Sequence, residues 1–407
     1  MTSGFRTSLL ALCFAGTVGI AVAEHWPQFR GPSAAGVALD QREPPREWSE
    51  AKNIAWKVEL PGRGPSSPIL VGNRAFVTCS AGARQNRLMV LAFDVETGSE
   101  VWRREFWATG SANCHPSSAN AAPTPASDGQ RIFALYSSND FICLDLDGNL
   151  IWYRALALDY PKTGNDVGMS SSPTVIGDTV VVQIENQGNS FAAGIDARTG
   201  RNHWRIHRPA EASWCSPVIV SDPQGTPTLV LQSGEGISAH DPATGEEKWS
   251  YPASCDLIAS PSPAKGRLFF PASGLSALKV PGPSEDPELA WDATRLGTGA
   301  SSPVVDGDRV YTVNRSGVLN CASVEDGELL WTLRLEITQM WATPVIVGQL
   351  MFCIDNAGQV AVVQLGDDKA QIVGRNELGE SIQASPAVAN GAIYFRSDQH
   401  LWKIAAD

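Results

Sequence analysis

Cys114 and His115 stand side by side. Such a pair can supply a thiolate–imidazole couple or two metal ligands. Ala112-Asn113-Cys114-His115 lacks the first cysteine of a haem-attachment site. Asp166 and then Glu185-Asn186 add oxygen donors suited to a cation or a sugar hydroxyl. His203 and His207 flank Trp204 at a spacing that would join them on a helix, but the segment reads as a strand running into a loop, so no metal site is expected there. Trp214 and Trp341 offer flat faces that could stack a planar ligand or sugar. Each group also has a plainer reading: a packed loop, solvated acids, a plugged channel. Phosphate loops, Gly-x-Ser-x-Gly elbows and His-Glu-x-x-His helices are absent. No residue is therefore assigned a catalytic role.

What must position these side chains is a repeat. A small residue, proline and usually an apolar residue recur at Ser67-Pro68, Ala122-Pro123, Ser172-Pro173, Ser216-Pro217, Ser260-Pro261, Ser302-Pro303, Thr343-Pro344 and Ser385-Pro386. The spacing settles near ~43 residues, enough for four short strands per copy. Glycine with Asn or Asp marks tight turns, as at Gly72-Asn73 and Gly177-Asp178. Alternating runs such as Arg309-Val310-Tyr311-Thr312-Val313 mark strands.

A sharper phrase closes the copies: Asp-x-x-Thr-Gly-x-x-x-Trp. It is complete at Asp94, Thr97, Gly98 and Trp102, at Asp196, Thr199, Gly200 and Trp204, and at Asp241, Thr244, Gly245 and Trp249. Asp caps the turn, Gly takes positive φ, and Trp lays a broad surface between sheets. Decayed copies end at Trp152, Trp291 and Trp331, and the seventh copy has no such Trp. The eighth stops at Leu401-Trp402-Lys403-Ile404, one strand short, and Asn53–Val58 resembles the missing strand. Exchange of that strand closes a ring and removes sheet edges. The expected fold is all-β: an eight-bladed propeller of four-stranded antiparallel blades, closed by an N-terminal strand.

In such a ring the long segments Trp107 to Ala121 and Asp159 to Ser171 fall on one face, together with the loops from Ser80 and Glu185. Long loops on one face of a rigid scaffold carry function. The position three before each proline starts an innermost strand and reads Pro65, Asn120, Ser170, Trp214, Ile258, Ala300, Trp341 and Gln383. A channel-mouth site is expected from His115, Asp166, Glu185, Trp214 and Trp341.

Gly 37 and Pro 27 suit a chain rich in turns, and a formal charge of −12 argues against nucleic acid as a partner. Arg6, the apolar run Ser8 to Ile20 and Ala21-Val22-Ala23 read as a cleaved signal, 1–23. A leader, 24–51, and a single propeller, 52–407, follow. Leu12 precedes Cys13 where a lipobox needs a small residue. The mature chain is expected to be periplasmic or extracellular, without an integral membrane segment. Its seven cysteines are odd in number and lie mostly in apolar runs, so buried thiols are expected.

The docking phrase resembles that of the quinoprotein alcohol dehydrogenase propellers, from about Asn53 to Asp407. Trp26-Pro27-Gln28-Phe29-Arg30-Gly31-Pro32, with Asp128-Gly129 and Cys143 to Trp152, is similar to secreted PQQ-like repeat proteins of planctomycete type. The propeller is also similar to that of the outer-membrane β-barrel assembly machine. The dehydrogenase resemblance implies PQQ held against a disulfide of adjacent cysteines, with calcium on Glu and Asn and an Asp base. No adjacent cysteines exist here, and no motif places the other three. The expectation is an exported scaffold that binds a protein, a small molecule or a carbohydrate at its loop-rich face, without PQQ or calcium. A PQQ-dependent alcohol or aldose oxidoreductase and a carbohydrate-binding propeller stay open.

Overall fold

The computed structural model describes residues 26–164, 167–337 and 339–406. The proposed signal, and Asp166, lie outside these described residues. The strands form eight four-stranded antiparallel sheets, the blades of a propeller. Blade 1 takes Ile69–Val71, Arg74–Ala81, Arg87–Asp94 and Glu100–Trp107, from channel to rim. Six more blades repeat this order along the chain. Blade 8 combines Ala387–Ala389, Ala392–Arg396 and His400–Ile404 with Ile54–Glu59 as its outermost strand. Lys57 pairs with Trp402 and Val58 with Leu401 across that closure. The only described helix is the four-residue Leu156–Asp159.

Second and third strands are buried on both faces, as in Thr179–Ile184, and carry near-continuous apolar residues. The outermost strands are half exposed and alternate. Core residues lie between successive sheets, so a blade is stable only against its neighbours.

The docking phrase shows why. Asp196 accepts the N–H groups of Arg198 and Thr199 at 3.0 and 2.7 Å, and Asp94 and Asp241 repeat the pattern. Gly98, Gly200 and Gly245 sit at φ 71°, 71° and 74°. Each also lies flat under the tryptophan of the preceding blade. A Cβ on Gly245 would stand 2.6 Å from the Trp204 ring, and one on Gly200 2.8 Å from Trp152. Trp204 Nε1 donates across the gap to the Pro242 carbonyl at 3.0 Å, as Trp102 does to Leu146 at 2.8 Å. The glycine is thus required twice, for its dihedral and for the ring above it.

The seventh blade has Gly374 where the others carry tryptophan, paired with Val362. The leader occupies the place. The Arg46 carbonyl lies 2.1 Å from where a Gly374 Cβ would be, so no side chain fits there. Asn376 Nδ2 donates to that carbonyl at 3.0 Å. Trp48, buried, packs on Phe395 of blade 8 with ring centroids 5.7 Å apart.

Upstream, the leader crosses the channel. Trp26 pairs with Leu70 of blade 1, the Ser127 N–H of blade 2 donates to the Pro27 carbonyl, and Val37 bridges Ile346 of blade 7. Arg30 reaches blade 5, donating to Ser262 Oγ and the Pro261 carbonyl, both at 2.6 Å. The segment plugs the propeller axis.

Candidate functional site

On the face of the two long loops the channel opens into a cup of about 520 Å³. Its floor is Phe29, delivered by the leader plug. Its walls are the segments that lead into the eight innermost strands, which begin just after each proline. The two long loops lean together above it, the His115 N–H donating to the Val167 carbonyl at 3.0 Å.

The proline phase needs one correction. In blade 2 the innermost strand is Ala126–Ser127, so its proline is Pro125 and not Pro123. Two small-residue–Pro steps follow each other there, and only pairing with the Arg131–Leu135 strand selects the second. Three before Pro125 stands Ala122. Asn120 therefore does not join the ring. It is buried behind the wall, its Oδ1 accepting the Ser138 N–H and its Nδ2 donating to the Gln85 carbonyl. With Ala122 in place, all eight positions three before the proline line the cup, and so do all eight immediately before it.

The second ring is Ser67, Thr124, Ser172, Ser216, Ser260, Ser302, Thr343 and Ser385, hydroxyl-bearing in every copy. It staples the blades. In seven of the eight steps the N–H of one member donates to the hydroxyl of the next, from Ser67 to Thr124 at 2.9 Å through to Thr343 and Ser385 at 2.8 Å. Along the sequence these residues stand out only as marks of the repeat phase. The signal was present, because every copy carries Ser or Thr once blade 2 is read at Thr124.

Of the five candidate residues the cup gathers three. Trp214 and Trp341 line it from blades 4 and 7. Trp214 is half-buried and held, its Nε1 donating to the Gly168 carbonyl at 2.8 Å. Trp341 is 46% exposed, so a large indole faces the opening. His115 lines the mouth, exposed, with Nδ1 2.7 Å from Ser117 Oγ. Cys114 is half-buried, and burial raises its thiol pKa, which disfavours the thiolate that a nucleophile needs.

Glu185 does not line the cup. It is buried behind the blade 3 wall, where Arg208 Nε donates to its Oε1 at 2.6 Å. Burial raises its carboxyl pKa, and Arg208 pulls it back. Arg208 Nη1 donates to Ser238 Oγ, which lies 2.9 Å from His240 Nε2. Counting residues along a loop could not show that this acid turns inward. Its backbone does pair with Ser213, next to Trp214, so Glu185 backs the rim from behind.

The described lining contains no Asp, Glu, Lys, Arg or Cys. Among the described residues no three His, Cys, Asp or Glu gather as a metal site. The seven described cysteines are free, six of them buried. His203 lies 3.6 Å from Asp196 on an outermost strand, remote from the cup.

Comparison with known proteins agrees with this architecture. A family model described as outer membrane protein assembly factor BamB matches residues 46–222, 86–261 and 279–400, most of the chain. The chain belongs to this family. Over 216 residues it is 25% identical to the outer membrane protein assembly factor BamB of Yersinia pestis. That match takes in 44% of the chain and 54% of the relative, about half the length of each. BamB from Moraxella catarrhalis superposes with a TM-score of 0.63 at 17% identity, over 86% of this chain and 96% of that one. The quinohemoprotein alcohol dehydrogenase of Comamonas testosteroni superposes with a TM-score of 0.70 at 13% identity, over 93% and 80%. At these identities the two structures share the propeller fold with this BamB-type chain. Among its described residues no helix is long and apolar enough to cross a membrane.

Proposed function

We propose that this chain is an exported binding scaffold that recognises its ligand or partner at the channel mouth and works without PQQ. The observation that carries this reading is the cup itself. It is closed below by Phe29, collared by hydroxyls and flanked by Trp214 and Trp341, and its described lining holds no carboxylate, amine, guanidinium or thiol. Its volume of about 520 Å³ suits a small molecule or one inserted side chain. The relatives named as assembly factors lend weight to a role in holding other proteins. The apolar N-terminal run and the Ala21-Val22-Ala23 step support export.

The runner-up is a quinoprotein oxidoreductase, favoured by the fold shared with the dehydrogenase. The lining fits that chemistry poorly. Calcium takes oxygen ligands, chiefly carboxylates, and the described cup residues supply none. Adjacent cysteines are lacking as well. The test is to add PQQ and calcium to the purified protein with an alcohol or aldose and a dye acceptor. The expected result is no dye reduction above a control without PQQ. Reduction above that control reverses the assignment. Glucose and cellobiose, titrated while tryptophan fluorescence is followed, test the carbohydrate alternative.

A further inference from the structure

The cup has a polarity of its own, and the inference from it rests on the cup being the recognition site. A hydroxyl offers one proton and two lone pairs. In seven members of the collar, Thr124 to Ser385, the oxygen already accepts the N–H of the preceding blade. Among the described residues none of these seven hydroxyls donates its proton to a protein acceptor. The collar thus presents O–H donors to whatever fills the channel, and the described lining offers no carboxylate to compete for them.

A second observation lies under the floor. Arg30 is 1% exposed, and its guanidinium meets only neutral acceptors, Ser262 Oγ and the Pro261 carbonyl. Its Nε has no partner. No carboxylate pairs with it among the described residues. An isolated buried cation is costly unless a negative charge approaches it. Ser262 begins the innermost strand of blade 5, two residues beyond the collar's Ser260, so the charge is held just below the ring of donors. The neighbouring floor residue, Phe29, lies 5.3 Å from that guanidinium, measured to its ring centroid.

We propose that the cup is an anion-accepting site for a small planar carboxylate. The carboxylate is directed down the channel towards the donor collar and the positive field of Arg30. The planar body rests against the rim indoles. A cation is rejected by the same arrangement.

Benzoate, benzamide and benzylammonium share a ring and differ in charge, which makes them suitable probes. Each is titrated into the full chain at constant ionic strength, with binding read by ligand-observed NMR. Benzoate should bind about tenfold or more tighter than the other two, as expected for donors facing a charged acceptor. Formate should displace it. Arg30→Met and Ser260→Ala should each reduce the benzoate preference, with thermal melts confirming the fold. The wild-type ranking and the formate competition stand even if Arg30→Met does not fold. Equal binding of the three probes, preference for benzylammonium, or no benzoate binding overturns the proposal. Equal binding that is lost in Trp214→Ala/Trp341→Ala keeps the cup as the site and removes only its anion preference. A benzoate preference that survives that double variant keeps the anion site and removes the rim tryptophans from recognition.

Discussion

The Trp48 N–H donates to Asn376 Oδ1 at 2.8 Å, tying the leader to the outermost strand of blade 7. This contact places an indole from the leader where the repeat has lost its own. Trp48→Ala should therefore behave as a core mutation, although the residue lies outside the ring of strands. A loss of about 3–5 kcal/mol is expected for a buried aromatic cut to alanine. Leu39→Ala, at a leader position 70% exposed, should be close to neutral. Denaturant titration of both variants checks the contrast.

The double requirement at the docking glycines can be separated. Gly245 and Gly225 both have positive φ, 74° and 83°. A Cβ at Gly225 meets nothing within 4 Å, whereas one at Gly245 strikes Trp204. Gly225→Ala should cost about 1–2 kcal/mol from the left-handed dihedral alone. Gly245→Ala should cost that and a further ~1–3 kcal/mol, because the indole must shift. Equal losses in thermal unfolding would mean that Trp204 does not rest on that glycine.

Rim and inter-blade tryptophans should part company. Trp341→Ala should leave stability within about 0.5 kcal/mol of the parent, as at exposed positions generally. Trp204→Ala, at a buried inter-sheet position, should cost about 3–5 kcal/mol. Equal destabilisation would make Trp341 a packing residue and remove it from the site.

The buried His240 predicts a pH dependence. Burial lowers its pKa, and its Nδ1 faces the Gly245 carbonyl at 3.1 Å. The unfolded chain then binds a proton at a higher pH than the folded chain does. Stability from this group is fully present above the ordinary histidine range and is lost as pH falls through it. His240→Gln should flatten the stability–pH curve below about pH 6.5. Glu185 acts in the opposite sense. Its raised pKa means that ionisation costs stability as pH rises above the usual glutamate range. Chemical denaturation at a series of pH values separates the two.

Much of this architecture was legible along the chain. Periodicity is local, so the proline marks, the Asp-Thr-Gly-Trp phrase and the orphan strand at Asn53–Val58 were enough for an eight-bladed ring and its closure. Loop length placed the open face. Trp214, Trp341 and His115 were within reach because each sits at a fixed offset from a repeat mark or in a long loop.

Other features depended on contacts between distant segments. Blade 2 offers two prolines separated by Thr124, and only strand pairing chooses Pro125 over Pro123, which moves Ala122 into the ring and Asn120 out. Glu185 falls in a loop by count but turns inward to Arg208, whose guanidinium partly offsets the cost of burying the carboxylate. The channel is a cup and not a pore because the leader, which has no repeat pattern, threads Phe29 and Arg30 between blades far apart in sequence. The hydroxyl collar has its donor character because seven of its oxygens, Thr124 to Ser385, accept an N–H from the collar residue of the preceding blade. Residue type alone leaves a hydroxyl free to donate or accept, and the tertiary partner decides which.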